Sequence, residues 1–219
     1  MRRLLIFCAV AVTAAAQTVP YDSLYLKSTV YKNMTAFFSL SRRTSADVVF
    51  LGNSITAGAD WSDLLGRERI VNRGIPGDNT LGMLHRLISV TSLHPKVCFL
   101  MAGINDLYAD APVETIMKNY AAIVDSLRSA KITVIIQSTL HVNPKWKRTE
   151  EKNPLVAQLN SRLKEYAQRN GLLFVDVNAV LSTNGVLNDE YTSDGVHLTP
   201  AAYARWRDLL LPVLQQFGL

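Results

Sequence analysis

The sequence lacks the common signatures of nucleotide and metal chemistry. It contains no G-x-S-x-G elbow, no G-x-x-x-x-G-K-[ST] phosphate loop, no G-x-G-x-x-G turn and no H-E-x-x-H pair. Its four histidines (His85, His94, His141 and His197) lack the spacing of metal ligands, and no cysteine cluster accompanies them. We therefore expect neither a metal ion nor a cofactor.

Cysteine and excess charge are also scarce. Of two cysteines, Cys8 lies in an apolar N-terminal run, so Cys98 alone would remain if that run were removed. An intrachain disulfide would then be impossible, and a hydrophobic core would have to stabilise the chain. The formal net charge of +5 becomes +3 without Arg2 and Arg3. No basic block alternates with aromatic residues, which argues against a nucleic-acid partner.

The N-terminal residues have the layout of a secretory signal. The basic pair Arg2–Arg3 precedes the apolar run Leu4–Ala15, and Ala14–Ala16 offers a cleavage site. The run is too short to span a bilayer comfortably, although a retained N-terminal anchor is the alternative. We predict cleavage after Ala16, export to the periplasm or the medium, no stable membrane anchor after cleavage, and a single domain over residues 17–219.

Five short runs rich in β-branched and aromatic residues alternate with helical patterns. Runs such as VVFL and VCFLM are almost continuously apolar, which is typical of strands covered by helices on both faces. The alternation predicts an α/β protein, a three-layer α/β/α sandwich around a five-stranded parallel sheet, for which we take the flavodoxin-like order 2-1-3-4-5. The predicted strands are Asp47–Leu51, Arg69–Asn72, Lys96–Met101, Ile132–Gln137 and Leu172–Val177.

Helical periodicity and capping residues mark the predicted helices. Apolar residues recur at helical spacing in Pro112–Ala130 and Pro154–Arg169. Asn153 and Thr199 each precede a proline, so we expect a helix to begin at each of these pairs. The amphipathic segment Leu24–Leu40 is expected to pack across the sheet.

Polar residues follow three of the predicted strands, at the edge where open α/β sheets bind ligands. Ser54 stands in GNSIT directly after VVFL, and the start of a following helix would favour an oxyanion nearby. Gly77 lies in a turn with a second glycine and a proline, and Asn105 in GIND follows VCFLM. A backbone N–H and a side-chain amide are suited to binding an oxyanion. Taken alone, each segment is at least as well explained as a turn or a cap.

Asp194 and His197 share a glycine-containing turn before the last predicted helix. Their spacing lets the carboxylate reach the imidazole Nδ1–H, which leaves Nε2 free to accept a proton. A lone histidine is as often a structural hydrogen-bonding residue as a catalytic one. With the order 2-1-3-4-5, Ser54, Gly77 and Asn105 leave three neighbouring strands about 5 Å apart. The segment before Asp194 is long enough to return the histidine to them.

Together these segments resemble the SGNH hydrolases, also called GDSL-like lipases and acylhydrolases. The likeness covers nearly all of the chain from Val48 onward and rests on four blocks in order, GNSIT, RGIPGDNT, GIND and DGVHLT. The branch that it resembles includes platelet-activating-factor acetylhydrolase catalytic subunits and carbohydrate or sialate O-acetylesterases. Asn53 departs from the family pattern, which often has Asp there, but that residue usually braces the loop.

The resemblance implies a role for each matching residue. Ser54 is the expected nucleophile, His197 the general base and acid, and Asp194 its orienting partner. The oxyanion hole would combine the backbone N–H groups of Ser54 and Gly77 with the Asn105 side chain. The implied activity is hydrolysis of a short acyl ester, an acetyl ester of a carbohydrate as first choice, through a Ser54 acyl-enzyme.

Substrate-binding residues are expected in the loop after the fourth strand, His141–Arg148. Trp146 can stack on a sugar, Lys145 and its basic neighbours can attract a carboxylated or sulfated glycan, and His141 lies beside them in the sequence. A solvated basic loop is the alternative. Trp61 is equally suited to the pocket wall and to the core.

Two other functions stay open at this point. A lysophospholipase or thioesterase would differ in its preference for acyl-chain length. A non-catalytic glycan-binding module that keeps the same fold would not react with a fluorophosphonate at Ser54. The expected partner is a small-molecule or glycan ester, and no sequence feature marks an interface between subunits.

Overall fold

A computed structural model describes residues 20–219. The predicted signal segment and its cleavage site lie outside the described residues. Within 20–219, every helix is too short or too polar to cross a membrane.

Five parallel strands form the central sheet. They are β1 (Val48–Gly52), β2 (Ile70–Gly74), β3 (Val97–Met101), β4 (Thr133–Gln137) and β5 (Leu173–Val175). Their order is β2-β1-β3-β4-β5, so the predicted order is confirmed. All residues of β1 and β3 are buried, which explains why both runs are apolar throughout. A short antiparallel hairpin, β6 (Ser182–Thr183) with β7 (Val186–Leu187), lies apart from this sheet.

Helices cover both faces of the sheet, which confirms the three-layer prediction. The helices of the described residues are α1 (Leu24–Lys27), α2 (Thr29–Leu40), α3 (Ser54–Ala57), α4 (Trp61–Leu65), α5 (Thr80–His85), α6 (Ile88–Thr91), α7 (Ile104–Tyr108), α8 (Val113–Ser129), α9 (Thr149–Arg169), α10 (Asn178–Leu181) and α11 (Pro200–Gln215). Two 3₁₀ turns occur at Tyr21–Ser23 and Asp189–Tyr191. On one face α4 contacts α11, and on the other α8 contacts α5 and α9.

One of the two predicted helix starts is wrong. α11 begins at Pro200, and the Thr199 side chain caps it by accepting the N–H of Ala202. α9 instead begins at Thr149, with Pro154 inside the helix. Asn153 does not cap this helix, because its side-chain amide is committed to both backbone polar groups of Val142.

The amphipathic N-terminal segment is not one helix, and it does not cross the sheet. It is divided at Ser28 into α1 and α2, and α2 lies against α6. Tyr31, which is buried, donates its hydroxyl to the Gly82 carbonyl in α5. Since α2 rests on helices rather than on the sheet, apolar side chains such as Phe37 and Leu40 stay exposed.

Candidate active site

Ser54 is the first residue of α3, directly beyond the carboxyl end of β1. The buried Asn53 caps this short helix, because its side-chain oxygen accepts the N–H of Ile55 at 3.0 Å. The end of β2 approaches the same helix so closely that a Cβ atom at Gly74 would lie 2.3 Å from the Ala57 nitrogen. Glycine at this position therefore allows β2 to support the serine loop.

Ser54, His197 and Asp194 form a hydrogen-bonded chain. The Nε2 atom of His197 lies 3.1 Å from Ser54 Oγ, and Nδ1 lies 2.6 Å from Asp194 Oδ2. The other carboxylate oxygen accepts the backbone N–H groups of Val196 and His197. With Nδ1 held by a carboxylate, Nε2 is left to accept a proton from the serine hydroxyl. The histidine side chain is 51% exposed, so the chain is open to solvent.

The environment of Asp194 favours its ionised form. Partial burial alone would raise the pKa of this carboxyl group. Hydrogen bonds from the His197 ring and from the N–H groups of Val196 and His197 outweigh that effect and hold the pKa at about 2. Asp194 therefore presents a negative charge to the imidazole throughout the neutral pH range.

Three donors converge on the space beside Ser54. Gly77 follows Pro76 in a turn with φ of +76°, closed by the Asp78 N–H donating to the Ile75 carbonyl. Among the described residues, the N–H groups of Ser54 and Gly77 have no hydrogen-bond acceptor. Asn105 donates one amide proton to the Asp78 carbonyl at 2.7 Å, which leaves the second for a ligand.

The predicted catalytic and oxyanion residues border one cavity, apart from Asp194, which lies behind the histidine. This cavity has a volume of about 500 Å³ and is lined by Ser54, Gly77, Asn105 and His197 together with Pro76, Ile104, Tyr108, Trp146, Lys147, Arg148 and Val196. Serine hydroxyl, imidazole and three donors around one space are the parts that nucleophilic acyl transfer requires.

A buried ion pair that sequence reasoning missed connects the segments of this site. Arg86 Nε lies 2.7 Å from Asp78 Oδ2, and both side chains are almost fully buried. Arg86 Nη2 also donates to the carbonyl of Gly52, two residues before Ser54. Burial raises the pKa of Asp78 to about 6, although Arg86 opposes the shift. No spacing rule identifies this pair, because its members are eight positions apart on a turn and a helix end.

A second buried carboxylate, that of Asp106, directly follows Asn105 in the chain and anchors this segment. Asp106 accepts the backbone N–H and the hydroxyl of Thr80, the first residue of α5, and the hydroxyl of Tyr21. Complete burial raises the pKa of Asp106. Because Thr80 follows the glycine turn, these bonds tie the Asn105 segment to the Gly77 segment.

The rim of the cavity is formed by the loop after β4. Trp146 lies edge-on to Tyr108, with 6.4 Å between ring centroids. The loop is fastened to the histidine turn, because the Asn143 N–H donates to the Gly195 carbonyl at 2.8 Å. Gly195 has a φ of +97°, and a Cβ there would lie 2.5 Å from the Trp146 nitrogen. Only glycine permits this close approach without displacement of the loop.

Three of the predicted substrate-binding residues lie elsewhere. Trp61 is 1% exposed and stacks on Phe50 with centroids 4.1 Å apart, so it belongs to the core. Lys145 is not among the residues that line the cavity, and its Nζ lies 2.7 Å from Asp189 Oδ1. His141 is not among the residues that line the cavity, and burial lowers its pKa against the opposing charge of Asp176. Of the four predicted substrate-binding residues, Trp146 alone lines the cavity.

The described residues give little support to metal chemistry or to a cysteine nucleophile. Within 20–219, no group of three His, Cys, Asp or Glu side chains is placed to hold a metal ion. Cys98 is buried, and burial raises the pKa of its thiol to about 12, so it is a poor nucleophile.

Comparison with known proteins identifies one family and one fold. Residues 50–205 match the GDSL-like Lipase/Acylhydrolase family. The structure is similar to that of a GDSL-like lipase from Bacteroides thetaiotaomicron, with a TM-score of 0.75 and 25% identity over 90% of this chain and 99% of that one. A Streptococcus pneumoniae structure, whose description names platelet activating factor, gives 0.74 and 27% over 84% and 92% of the two chains.

A longer relative matches over part of its length. The N-acylneuraminate cytidylyltransferase of Streptococcus agalactiae serotype V is 30% identical over 172 residues, or 78% of this chain. The chain spans about 38% of the length of the curated relatives that it matches. The nucleotidyl transfer named for those relatives therefore does not follow for this protein.

Proposed function

The chain belongs to the GDSL-like lipase/acylhydrolase family, a family of ester-hydrolysing enzymes, and on that premise we propose that it is a serine esterase acting on acetyl esters of carbohydrates. The observation that carries the proposal is the hydrogen-bonded chain from Ser54 through His197 to Asp194 at the edge of the cavity. We further propose that the protein is exported, as its N-terminal sequence predicts.

The reaction begins at the serine hydroxyl. His197 Nε2 takes the proton from Ser54 Oγ as that oxygen attacks the ester carbonyl, while Asp194 stabilises the imidazolium that forms. The carbonyl oxygen becomes an oxyanion within reach of the Ser54 and Gly77 N–H groups and the second amide proton of Asn105. The imidazolium then gives its proton to the leaving alcohol, and an acyl-enzyme remains on Ser54.

The second half of the reaction uses the same groups in reverse. His197 Nε2 removes a proton from water, which attacks the acyl carbonyl, and the oxyanion forms again in the same place. Collapse of this intermediate returns the proton to Ser54 Oγ and releases the acid. Each oxyanion donor contributes about 3–4 kcal/mol to such transition states.

The walls of the cavity support a short acyl group. The apolar surface near Ser54 comes from Pro76, Ile104 and Val196, and the 500 Å³ volume must hold both halves of the ester. The aromatic pair Tyr108–Trp146, which also lines the cavity, offers a flat apolar surface with polar edges, which suits the face of a sugar ring.

The charge at the rim favours an acidic sugar. Lys147 lines the cavity and, among the described residues, has no carboxylate within 4.0 Å. Arg148 also lines it but is already paired with Asp110 and Glu151. N-acylneuraminate, in the name of the S. agalactiae relatives, is a carboxylated sugar. We propose that Lys147 attracts such a carboxylate.

The direct test is release of acetate from a panel of O-acetylated sugars, with acidic and neutral members, by the purified protein. We expect turnover of acetyl sugars and a steep fall from nitrophenyl acetate to nitrophenyl octanoate. A preference for octanoyl or longer chains would instead identify a lysophospholipase or thioesterase. Lys147→Gln should raise KM for acidic sugars only, while Lys145→Gln, which changes a lysine outside the cavity, should leave KM unchanged.

Covalent labelling tests the nucleophile separately. A fluorophosphonate should modify wild type and Ser161→Ala, a control at an exposed helical serine, but not Ser54→Ala. Ser54→Ala and His197→Ala should each lower kcat on the order of 10⁴-fold or more. Folded wild-type protein that resists the label would indicate a glycan-binding module without catalysis.

A further inference from the structure

A second cavity lies on another part of the molecule. It has a volume of about 820 Å³ and is enclosed by α2 on one side and by residues 85–94 on the other. It shares no lining residue with the cavity at Ser54. Its volume falls within the range of small-molecule sites. We call it the α2 groove.

Positive charge is concentrated in the α2 groove. Arg43, Arg73 and Arg86 all line it. Arg86 is paired with Asp78, whereas Arg43 and Arg73 have no carboxylate within 4.0 Å among residues 20–219. Arg73 is only 7% exposed. Burial of a guanidinium without a counter-charge costs desolvation free energy. Binding of an anion in the groove would offset this cost.

The hydrogen bonds of Arg73 leave one nitrogen of its guanidinium group available to a ligand. Nε donates to the Ser89 carbonyl at 3.0 Å and Nη1 to the Asn72 carbonyl at 3.2 Å, and both acceptors are neutral. Nη2 donates to no described residue. Burial lowers the pKa of Arg73 to about 10, with further contributions from Arg86 and Arg43. Arg86 adds a buried Nη1 without an acceptor in the described chain.

Apolar surface adjoins these charges. The Phe38 ring covers Arg73, with 4.4 Å between the ring centroid and Cζ. Ile88, at 73% exposed, and Leu26 form the open rim of the groove. Exposed aliphatic side chains beside unpaired guanidinium groups are complementary to an amphiphile rather than to an inorganic ion alone.

We propose that the α2 groove binds an organic anion, in which a phosphate, sulfate or carboxylate group is joined to an apolar body. The anionic group accepts a hydrogen bond from Arg73 Nη2 and lies near Arg43. The apolar body lies along Phe38 and Ile88. This site is separate from the esterase cavity and does not depend on the function proposed for it.

The probe for the test is anilinonaphthalene sulfonate, a sulfonate on an aromatic body, titrated by fluorescence into the whole protein. Arg73→Gln should weaken binding about tenfold, and Arg43→Gln about threefold, because each removes a charge-assisted contact. Arg128→Gln, at an arginine of α8 outside the groove, and Ser54→Ala should bind as wild type. Equal affinity in all variants, or no binding by wild type, would overturn the proposal. If Arg73→Gln fails to fold, Arg43→Gln decides alone, since Arg43 is exposed.

Competition experiments define the ligand. Hexyl phosphate should displace the dye at lower concentration than inorganic phosphate, and hexanol should not displace it. Displacement by hexanol as effective as by hexyl phosphate would overturn the anionic part of the proposal. Sedimentation with phosphatidylglycerol vesicles that is lost in Arg73→Gln would identify a lipid headgroup as the source of the anion. Displacement by hexyl phosphate without such sedimentation would identify a soluble ligand.

Discussion

Arg86 Nε and Asp78 Oδ2 lie 2.7 Å apart in an ion pair that is almost wholly removed from water. The Arg86 guanidinium also donates to the carbonyl of Gly52, and the Asp78 carbonyl accepts a hydrogen bond from the Asn105 side chain. The pair therefore links the end of β1, two residues before the nucleophile, to the turn whose carbonyl accepts a hydrogen bond from Asn105. The raised pKa of Asp78, about 6, indicates that desolvation exceeds the attraction of Arg86.

The first prediction follows from that imbalance. Asp78→Leu should lower the free energy of unfolding by about 3–5 kcal/mol, because it leaves Arg86 buried without a counter-charge. Asp78→Leu combined with Arg86→Met should recover much of that loss, yet keep a low kcat because the Gly52 carbonyl has lost its donor. Urea denaturation and esterase assays of the three proteins measure both effects. A double variant as unstable as Asp78→Leu would contradict this account.

The second prediction concerns the oxyanion. Asn105→Ala should lower kcat about 10²–10³-fold with little change in KM, because the amide proton acts on charge that develops in the transition state. The change also removes the bond to the Asp78 carbonyl, so the melting temperature must be recorded alongside. Asn119→Ala, which loses a buried amide away from the cavity, serves as the control for structural loss. If both variants slow turnover equally, Asn105 has only a structural role.

The third prediction uses the low pKa of Asp194. Since its folded-state pKa is about 2 rather than the ordinary 3.8, the ionised form stabilises the fold above about pH 4. This contribution is lost as the pH falls toward 2. The side chain is partly exposed, so solvent screening limits the effect to about 1 kcal/mol or less. The stability difference between wild type and Asp194→Asn should therefore shrink between pH 5 and pH 2, and a constant difference would refute the assignment.

The fourth prediction separates two tryptophans. Trp61→Ala should destabilise the protein by about 3–5 kcal/mol, since it opens a void against Phe50. Trp146→Ala should leave the melting temperature nearly unchanged and raise KM for acetylated sugars, while kcat/KM for nitrophenyl acetate changes little. Thermal unfolding and paired kinetics provide the comparison. A rise in KM for nitrophenyl acetate equal to that for sugars would remove the sugar-stacking role.

Much of the fold could be predicted because its determinants are local. The runs VVFL and VCFLM are apolar because both of their faces are buried, and a strand of that kind is readable without tertiary information. Ser54 could be selected because it directly follows a strand of a parallel sheet, where ligands bind, and His197 because Asp194 stands three residues before it on a glycine-containing turn. The helix at Pro200 was equally local, because its cap lies in the adjacent residue.

The sequence-based predictions differ from the structure where a segment far along the chain determines the contacts of a side chain. Trp61 points into the core because α4 packs against α11, a contact that nothing near Trp61 encodes. Lys145 pairs with Asp189, far along the chain, and the Asn153 side chain bonds the backbone of Val142 instead of capping a helix. The Arg86–Asp78 pair was invisible for the same reason, because its importance comes from the carbonyls that it reaches.

The bond between Asn143 and Gly195 has an evolutionary consequence. It connects two segments, the loop at the rim of the cavity and the turn that carries the His197 imidazole. A longer loop would therefore displace the turn. Laboratory selection for bulkier substrates should therefore cost turnover whenever insertions fall between 143 and 146. Substitutions at Tyr108, which lies on α7 and contacts this loop through Trp146 and the Lys147 carbonyl rather than through the histidine turn, offer a route to a broader substrate range.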